Sequence, residues 1–328
     1  MLIDRLKSAI PIIIVIALCF FLPFEYGRLL FLPVATLMLF LACHETFDLL
    51  NPPHKKALEI VAVVYGLATF LLPRLFMFLS KLHWDKTFDS SAPLTETPWQ
   101  IINTIGSSLT ALNQISIGLV VLAAFCICFK DAPTKENVNG TLAAIGATVF
   151  IPWSLMFIPK IFYFFSRPQM DMRPILFFMI LVTKIADTGA FAAGSWTAKR
   201  PGGNHKLIPL VSPKKSWEGL IGGTVASVVT GLICYFCWPG SVSINGVKLF
   251  GISEVIVIGI LASVIGLLGD LAESALKRAA GAKDSGHLPG IGGILDTLDS
   301  LIFVSPLFYA YLSIVLDKYA AQIMKFNQ

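Results

Sequence analysis

Long apolar segments alternate with shorter polar ones along almost the whole chain. A transmembrane helix needs about 20 mostly apolar residues, and nine segments meet or approach that length. They span residues 9–24, 29–50, 57–79, 106–129, 141–165, 174–195, 217–238, 252–275 and 299–316. The pattern predicts an all-α, polytopic integral membrane protein with about nine transmembrane helices in the lipid bilayer.

The composition supports the same class of protein. Of the 328 residues, 55% are hydrophobic and only 14% are charged, whereas soluble domains carry about 25% charged residues. The net charge of +5 is modest, and in a membrane protein it reports the orientation of loops. No nucleic-acid partner is therefore predicted. The six cysteines lie in or beside apolar segments and are interpreted as small packing residues.

The loop between the sixth and seventh segments predicts the orientation of the chain. Residues 188–217 contain no acidic residue and five basic ones, namely Lys199, Arg200, Lys206, Lys214 and Lys215. The positive-inside rule places this loop, and with it the loop from 277 to 299, on the cytoplasmic side of an inner or plasma membrane. Three basic residues do not fit, because this scheme puts Lys160, Arg167 and Arg173 outside.

The two halves of the chain differ in character. Residues 1–165 are mostly hydrophobic, with few ionisable residues inside the segments, and are interpreted as N-terminal transmembrane helices. In residues 166–328 charges stand at the ends of the segments and glycines cluster. Ionisable groups at membrane depth are costly and usually have a task. We therefore expect the C-terminal region, with its cytoplasmic loops, to be the catalytic one.

A window of 30 residues, 270–299, holds most of the candidate chemistry. Its acidic residues, lysines and arginine are Asp270, Glu273, Lys277, Arg278, Lys283, Asp284, Asp296 and Asp299. The first three have helical spacing and share one face. Several carboxylates directed at one point repel each other unless a cation lies between them, and Mg²⁺ favours carboxylates, water and phosphate oxygens. The pattern indicates a metal-assisted phosphate site, although a solvated loop with helix caps would have the same spacing.

Two further parts of the sequence are candidates for binding phosphate or metal. The run Ser212-Pro-Lys214-Lys215-Ser-Trp-Glu-Gly opens the seventh segment, where free N–H groups and the helix dipole attract anions. Flanking charge explains the lysines equally well, but not the serines. Asp187, near the end of the sixth segment, is a candidate to bind a metal ion or a base. Alternatively, it simply pairs with Lys184. Neither a P-loop nor a G-x-G-x-x-G dinucleotide motif is present in the sequence.

These runs together resemble one family. The run from Ser274 to Gly286, followed by that from Pro289 to Ser300, closely resembles the C-terminal signature of phosphatidate cytidylyltransferases, the CDP-diacylglycerol synthases. Gly-Asp270-Leu, the Asp187-Thr-Gly-Ala run and the run from 212 to 219 are similar to the same family, in the same order. The resemblance covers about residues 180–305, and the N-terminal segments match only in being hydrophobic.

The resemblance implies that CTP and phosphatidate react to give CDP-diacylglycerol and pyrophosphate in phospholipid biosynthesis. It implies that Mg²⁺ is held by Asp270, Asp296 and Asp299, and that Lys283 and Asp284 join the catalytic group. The substrates would be bound by Ser212, Lys214, Lys215, Lys277, Arg278 and Asp187. A monovalent cation beside the Mg²⁺ and a homodimer are left open.

The chain departs from the family signature at three places. Ile291 stands where the family usually has His, and Thr297 where it usually has Arg. The stretch from Gly286 to Pro289 is one residue shorter. The first two changes remove phosphate or orienting contacts, and His287 is a candidate replacement for one of them.

Three alternatives remain open at this stage. A CTP-dependent lipid-alcohol kinase and a cytidylyltransferase of another lipid are related membrane enzymes that use CTP. A transporter that carries ions or solute past intramembrane charges is the non-enzyme alternative. It gives no reason for charges confined to the cytoplasmic ends of the segments.

Overall fold

The computed structural model describes residues 2–69, 71, 115–130, 134–164, 171–244, 246–286 and 292–326. The main helices of this part are α1 Leu2–Phe21, α2 Phe24–Leu50, α3 55–69, α4 Ile115–Cys128, α5 Lys135–Thr148, α6 Phe157–Phe164, α7 Arg173–Thr197, α8 Trp217–Cys237, α9 Ile252–Ala279 and α10 Ile294–Phe326. A π-helical turn, Val149–Trp153, follows α5. Two hairpins consist of β1 Lys206–Ile208 with β2 Ser212–Ser216, and β3 Ser243–Ile244 with β4 Val247–Lys248.

The predicted helical membrane architecture is confirmed, but the predicted number of spans is not. Within the described residues six helices are long and apolar enough to cross a membrane: Phe24–Leu50, Lys135–Tyr163, Arg173–Thr197, Trp217–Cys237, Ile252–Ala279 and Ile294–Leu316. Ile10–Phe21 and Ile115–Cys128 are shorter apolar helices. The predicted segments 57–79 and 106–129 extend into residues 72–114, outside the described part. Nine spans therefore stay a prediction.

The N-terminal helices meet α6 and α7 in an aromatic core. Phe31 of α2 stacks on Phe162 of α6 with 3.8 Å between the ring centroids. Phe20 of α1 contacts the same ring edge-on. Such aromatic pairs contribute about 0.5–1.5 kcal/mol beyond the area that they bury. The N-terminal helices are thus packed against the elements that carry the site.

Two of the basic residues that did not fit the predicted orientation have structural partners. Arg173 is buried, bonds both carboxylate oxygens of Asp171, and donates from Nη1 to the carbonyl oxygen of Leu22 over 2.7 Å. The ammonium of Lys160 lies over an aromatic ring at 4.9 Å from its centroid. These contacts give both residues a reason to be where they are, apart from any loop signal. Arg167 lies outside the described residues.

Small residues allow α7 and α8 to pack backbone against backbone. A Cβ added to Gly222 would lie 2.2 Å from the Cβ of Ala193, and one added to Gly223 would lie 2.6 Å from the carbonyl oxygen of Ala186. Helices within membranes commonly associate through such small residues, because lipid offers no hydrophobic drive for their association. The contact places the N-terminal end of α8 beside the half of α7 that carries Asp187.

Replacing Gly222 by Ala is expected to destabilise this contact. The new methyl group would meet the Cβ of Ala193, which has no other rotamer, so the two helices must separate. Overpacking of this kind costs about 1–3 kcal/mol, and we expect a lower thermal midpoint in detergent. Gly146→Ala on α5 is the matched control, since a Cβ there meets no described atom within 4 Å. An unchanged midpoint for Gly222→Ala would contradict the packing.

The first five residues of the run that was predicted to open the seventh span, Ser212–Ser216, form a strand. β1 and β2 pair antiparallel, and α8 begins only at Trp217. Ser216 caps this helix, because its side chain accepts a hydrogen bond from the N–H of Gly219 over 3.1 Å. The two short hairpins are the described departures from an all-α fold, and the first of them forms part of the candidate site.

Candidate active site

Three carboxylates from α9 and α10 converge. One oxygen from each of Asp270, Glu273 and Asp299 lies within 4.8 Å of the other two. The first two residues are about one turn apart on α9, and the third lies near the start of α10. Gly269 makes the approach possible, because a Cβ there would lie 2.3 Å from the carbonyl oxygen of Asp299. This trio is called the carboxylate cluster below.

Glu273 is the buried member of the carboxylate cluster. Glu273 is 0% exposed, and its Oε2 lies 2.6 Å from Nζ of Lys277. Apart from this ion pair, neither carboxylate oxygen has a hydrogen-bond partner among the described residues. Buried polar atoms are usually satisfied, so these lone pairs suit a cation. All the donors are carboxylate oxygens, which Mg²⁺ prefers, and the residues present therefore fit a divalent metal.

Two lysines link the carboxylate cluster to its surroundings. Lys215 of β2 forms an ion pair with Asp270, which brings the hairpin against α9. Lys277, one turn after Glu273, forms a second ion pair with Asp296 on α10. Both ammonium groups thus lie inside the network of carboxylates, and in this structure Lys277 is not free to face a phosphate alone.

Lys184 joins α7 to α10. Its Nζ donates to Oγ of Ser300 over 2.7 Å and lies 3.5 Å from Asp299 and 3.6 Å from Asp187. The sequence left open whether Asp187 binds a ligand or pairs with Lys184. The structure shows the pair, and it places the pair beside the carboxylate cluster.

The network as a whole carries more negative than positive charge. Its carboxylates are Asp187, Asp270, Glu273, Asp296 and Asp299, and its ammonium groups are those of Lys184, Lys215 and Lys277. Fully ionised, five negative and three positive charges leave a net charge of −2. Several charges of one sign at membrane depth are costly without a partner, and a divalent cation would balance them.

Asp296 lies beside the carboxylate cluster and not within it. Lys277 pairs with its Oδ1, and its Oδ2 accepts hydrogen bonds from N–H and Oγ of Ser285, both at 2.9 Å. Asp296 therefore ties the turn after α9 to the start of α10. Glu273 takes the third place in the cluster, whereas the ligand set implied by the resemblance had Asp296 there. Metal binding by Asp296 stays a prediction.

A polar cavity of about 380 Å³ opens next to the carboxylate cluster. It lies between α7, the first hairpin, the N-terminal end of α8 and the middle of α9. Its charged and polar lining residues are Asp187, Ser195, Asn204, Lys206, Ser212, Lys214, Lys215, Ser216 and Ser263. Three lysines and the positive end of the α8 dipole together favour a polyanion. The predicted residues Ser212, Lys214, Lys215 and Asp187 thus share one cavity.

Three predicted residues lie in the last turn of α9 or on the turn after it, outside the lining of that cavity. Arg278 is exposed and donates from Nη1 to the carbonyl oxygen of Ala282 over 3.0 Å. Lys283 and Asp284 are exposed as well. In the described part of the chain no ion pair joins these three side chains to the carboxylate cluster. Residues 287–291 lie outside that part, so the roles of His287 and position 291 stay predictions.

One carboxylate from the N-terminal half was missed by the sequence reasoning. Glu45 of α2 accepts hydrogen bonds from the N–H groups of Ile294 and Leu295, both over 2.9 Å, and from Oγ of Ser285 over 2.8 Å. It therefore caps the N-terminal end of α10. A signal was present, because an acidic residue inside the apolar segment 29–50 is costly unless it has a task.

Known proteins are similar in sequence to this chain over most of its length. Residues 5–315 match a family described as the cytidylyltransferase family. A phosphatidate cytidylyltransferase of Staphylococcus haemolyticus is 31% identical over 297 residues, which is 89% of this chain and 94% of that protein. The phosphatidate cytidylyltransferase of Staphylococcus saprophyticus is 30% identical over the same fractions of the two chains. One of Staphylococcus aureus is 34% identical over 213 residues, 64% of this chain and 70% of that protein.

Proposed function

The chain belongs to the cytidylyltransferase family, and we propose that it makes CDP-diacylglycerol and pyrophosphate from CTP and phosphatidate. One observation carries this proposal. Lys215 lines the polar cavity and also pairs with Asp270 of the carboxylate cluster. A site for a polyanion thus adjoins a site for a divalent cation, in an integral membrane protein that meets its lipid substrate in the bilayer.

The proposed chemistry needs no protein nucleophile. A phosphate oxygen of phosphatidate attacks the α-phosphorus of CTP, so that a new P–O bond forms. The bond from the α-phosphorus to the bridging oxygen breaks, and pyrophosphate leaves with that electron pair. The chain contributes positioning and charge. Lys214 and Lys215 would hold the triphosphate, and Lys184 would face the phosphate of the lipid.

The metal assignment follows from the same donors. Asp270, Glu273 and Asp299 would hold Mg²⁺, which when bound offsets the negative charge of the reacting phosphates and of pyrophosphate. The ion pairs of Lys215 and Lys277 hold two of these carboxylates in place. A monovalent cation beside the Mg²⁺ stays a prediction.

We test the function with purified protein, phosphatidate, Mg²⁺ and CTP that carries a label on either the α- or the γ-phosphate. The proposal expects α-label and cytidine on the lipid and γ-label in pyrophosphate. Transfer of the γ-label to a lipid alcohol would establish the kinase instead. A lipid other than phosphatidate as the better acceptor would change the substrate, and solute flux without CDP-lipid would establish the transporter.

The site is proposed to face the cytoplasm. The basic hairpin supports this orientation through the positive-inside rule, and CTP is a soluble anion that cannot cross the bilayer. A cysteine in place of Leu210, a 96% exposed residue of the hairpin, would report the side in a cysteine-free background. Labelling by an impermeant thiol reagent in intact cells would contradict the proposal, and labelling only in inverted vesicles would support it. The homodimer and the division at residue 165 stay predictions.

Replacing Lys214 by Ala is expected to raise the KM for CTP about tenfold, with a smaller effect on kcat. Lys214 is exposed at the rim of the polar cavity, and a charge-assisted contact to phosphate contributes about 1.5–3 kcal/mol. Steady-state kinetics at saturating phosphatidate measure the change. Lys135→Ala, which removes an exposed lysine at the start of α5, is the control. Equal KM values for both variants would contradict the assignment of this cavity to CTP.

A further inference from the structure

An apolar cavity of about 220 Å³ lies on the other side of Lys184. Its walls come from both halves of the chain, namely from α1, α2, α3 and residues 155–159, and from α7 and α10. Typical lining residues are Ile16, Phe31, Ala35, Leu155 and Leu298. Apart from Lys184 and Thr297, the described lining has no charged, amide or hydroxyl side chain. This cavity plays no part in the function proposed so far.

Lys184 connects this cavity with the carboxylate cluster. Its side chain lines the apolar cavity, while its ammonium bonds Ser300 and lies 3.5 Å from Asp299. A lysine can bury its hydrocarbon stem along an apolar surface and keep its charge among polar groups. The apolar cavity therefore ends where the polar network begins.

The two cavities lie on opposite sides of the network along α7. The polar cavity is lined by residues from Ala186 to Ser195 of this helix, and the apolar one by Ile180 and Lys184. Residues of α2 from Phe31 to Leu39 also line the apolar cavity, a stretch of about 12 Å at 1.5 Å per residue. A lipid with its phosphate at Lys184 would thus direct a chain away from the nucleotide.

We propose that the apolar cavity holds one acyl chain of phosphatidate while its phosphate lies at Lys184. This inference rests on the proposed function. A chain gains little hydrophobic free energy by leaving lipid, because lipid tails are as apolar as leucine. However, an acyl chain that fills the cavity makes dispersion contacts with the side chains of its lining. The cavity would therefore act by positioning the reacting phosphate, and it gives the N-terminal helices a part in substrate selection.

Filling the cavity tests this inference. Ala35→Phe places a ring in the cavity, and Leu37→Phe adds a ring to an exposed position of the same helix, outside the lining. For Ala35→Phe we expect kcat/KM to fall about tenfold with dioleoyl phosphatidate and to change less than about twofold with dihexanoyl phosphatidate. Leu37→Phe should alter neither. Equal losses on both lipids, or no loss on either, would overturn the inference.

A second measurement avoids any folding defect. Wild-type protein is cross-linked with phosphatidate that carries a diazirine on one acyl chain, and the labelled residues are mapped. Label on Val34, Ala35 or Leu155 that dioleoyl phosphatidate competes away, but phosphatidylcholine does not, supports the inference. Label only on outward-facing residues, or competition by any lipid, refutes it. If the wild type makes no CDP-lipid from either phosphatidate, it is the proposed function that fails.

Discussion

Replacing Asp270 by Asn is expected to lower CDP-diacylglycerol formation on the order of 100-fold or more, the loss that follows removal of one strong electrostatic contact to a reaction centre. The change keeps the size of the side chain and removes its charge. The carboxylate cluster then loses a metal donor, and Lys215 loses its ion-pair partner. The same result is expected for Asp299→Asn, since that residue supplies another carboxylate of the cluster.

The measurement is the initial rate with purified protein as a function of Mg²⁺ concentration. Both variants should need more Mg²⁺ for half-maximal activity. Glu136→Gln is the control, because this carboxylate is exposed in the first turn of α5. Full activity of either variant at low Mg²⁺ would contradict the assignment of these carboxylates as metal ligands.

Two further variants separate the carboxylate cluster from its surroundings. Glu273→Gln should shift the Mg²⁺ requirement, because Glu273 lies within the cluster. Asp296→Asn should loosen the turn at Ser285 and lower the thermal midpoint with a smaller shift, because its oxygens already bond that serine and Lys277. If Asp296→Asn instead shifted the Mg²⁺ requirement more than Glu273→Gln, Asp296 would be the third metal ligand, as the resemblance implies.

The apolar segments predict the helices, because a helix in lipid needs a long run of hydrophobic residues. Such a run is visible in a single sequence. The hairpin before α8 was not predicted, because it has only short strands and its residues read equally well as charged flanks of a span. Ser216 shows the consequence. It lies directly before the predicted span 217–238, where its side chain caps α8, but its backbone belongs to strand β2.

The candidate site shows where local spacing stops being informative. Asp270 and Asp299 were predicted for the metal, and the structure brings them together across α9 and α10. Spacing alone could not rank Glu273 above Asp296, because the choice depends on which carboxylate Ser285 occupies. Such contacts depend on tertiary packing. The same holds for Glu45, whose partner Ser285 lies 240 positions away.

Glu45→Ala is the second large effect that we expect, with kcat lowered about 10- to 100-fold. Without the carboxylate, the N–H groups of Ile294 and Leu295 lose their acceptor, and the hydroxyl of Ser285 keeps only Asp296. Hydrogen bonds to a charged group contribute about 1.5–3 kcal/mol, so the start of α10, which carries Asp299, should shift or fray. Glu45 thus acts as a positioning residue.

The split between kinetic constants distinguishes positioning from general damage to the fold. The KM for CTP should stay within about twofold, because α7, α8 and the hairpin form the polar cavity and α10 does not. Glu45→Gln keeps one acceptor oxygen and should recover part of kcat, as expected when a hydrogen bond loses its charge. Glu25→Ala, at the exposed opposite end of the same helix, should leave kcat unchanged. If Glu45→Ala lowers the thermal midpoint but leaves kcat at the wild-type value, the cap stabilises the fold without positioning α10 for catalysis.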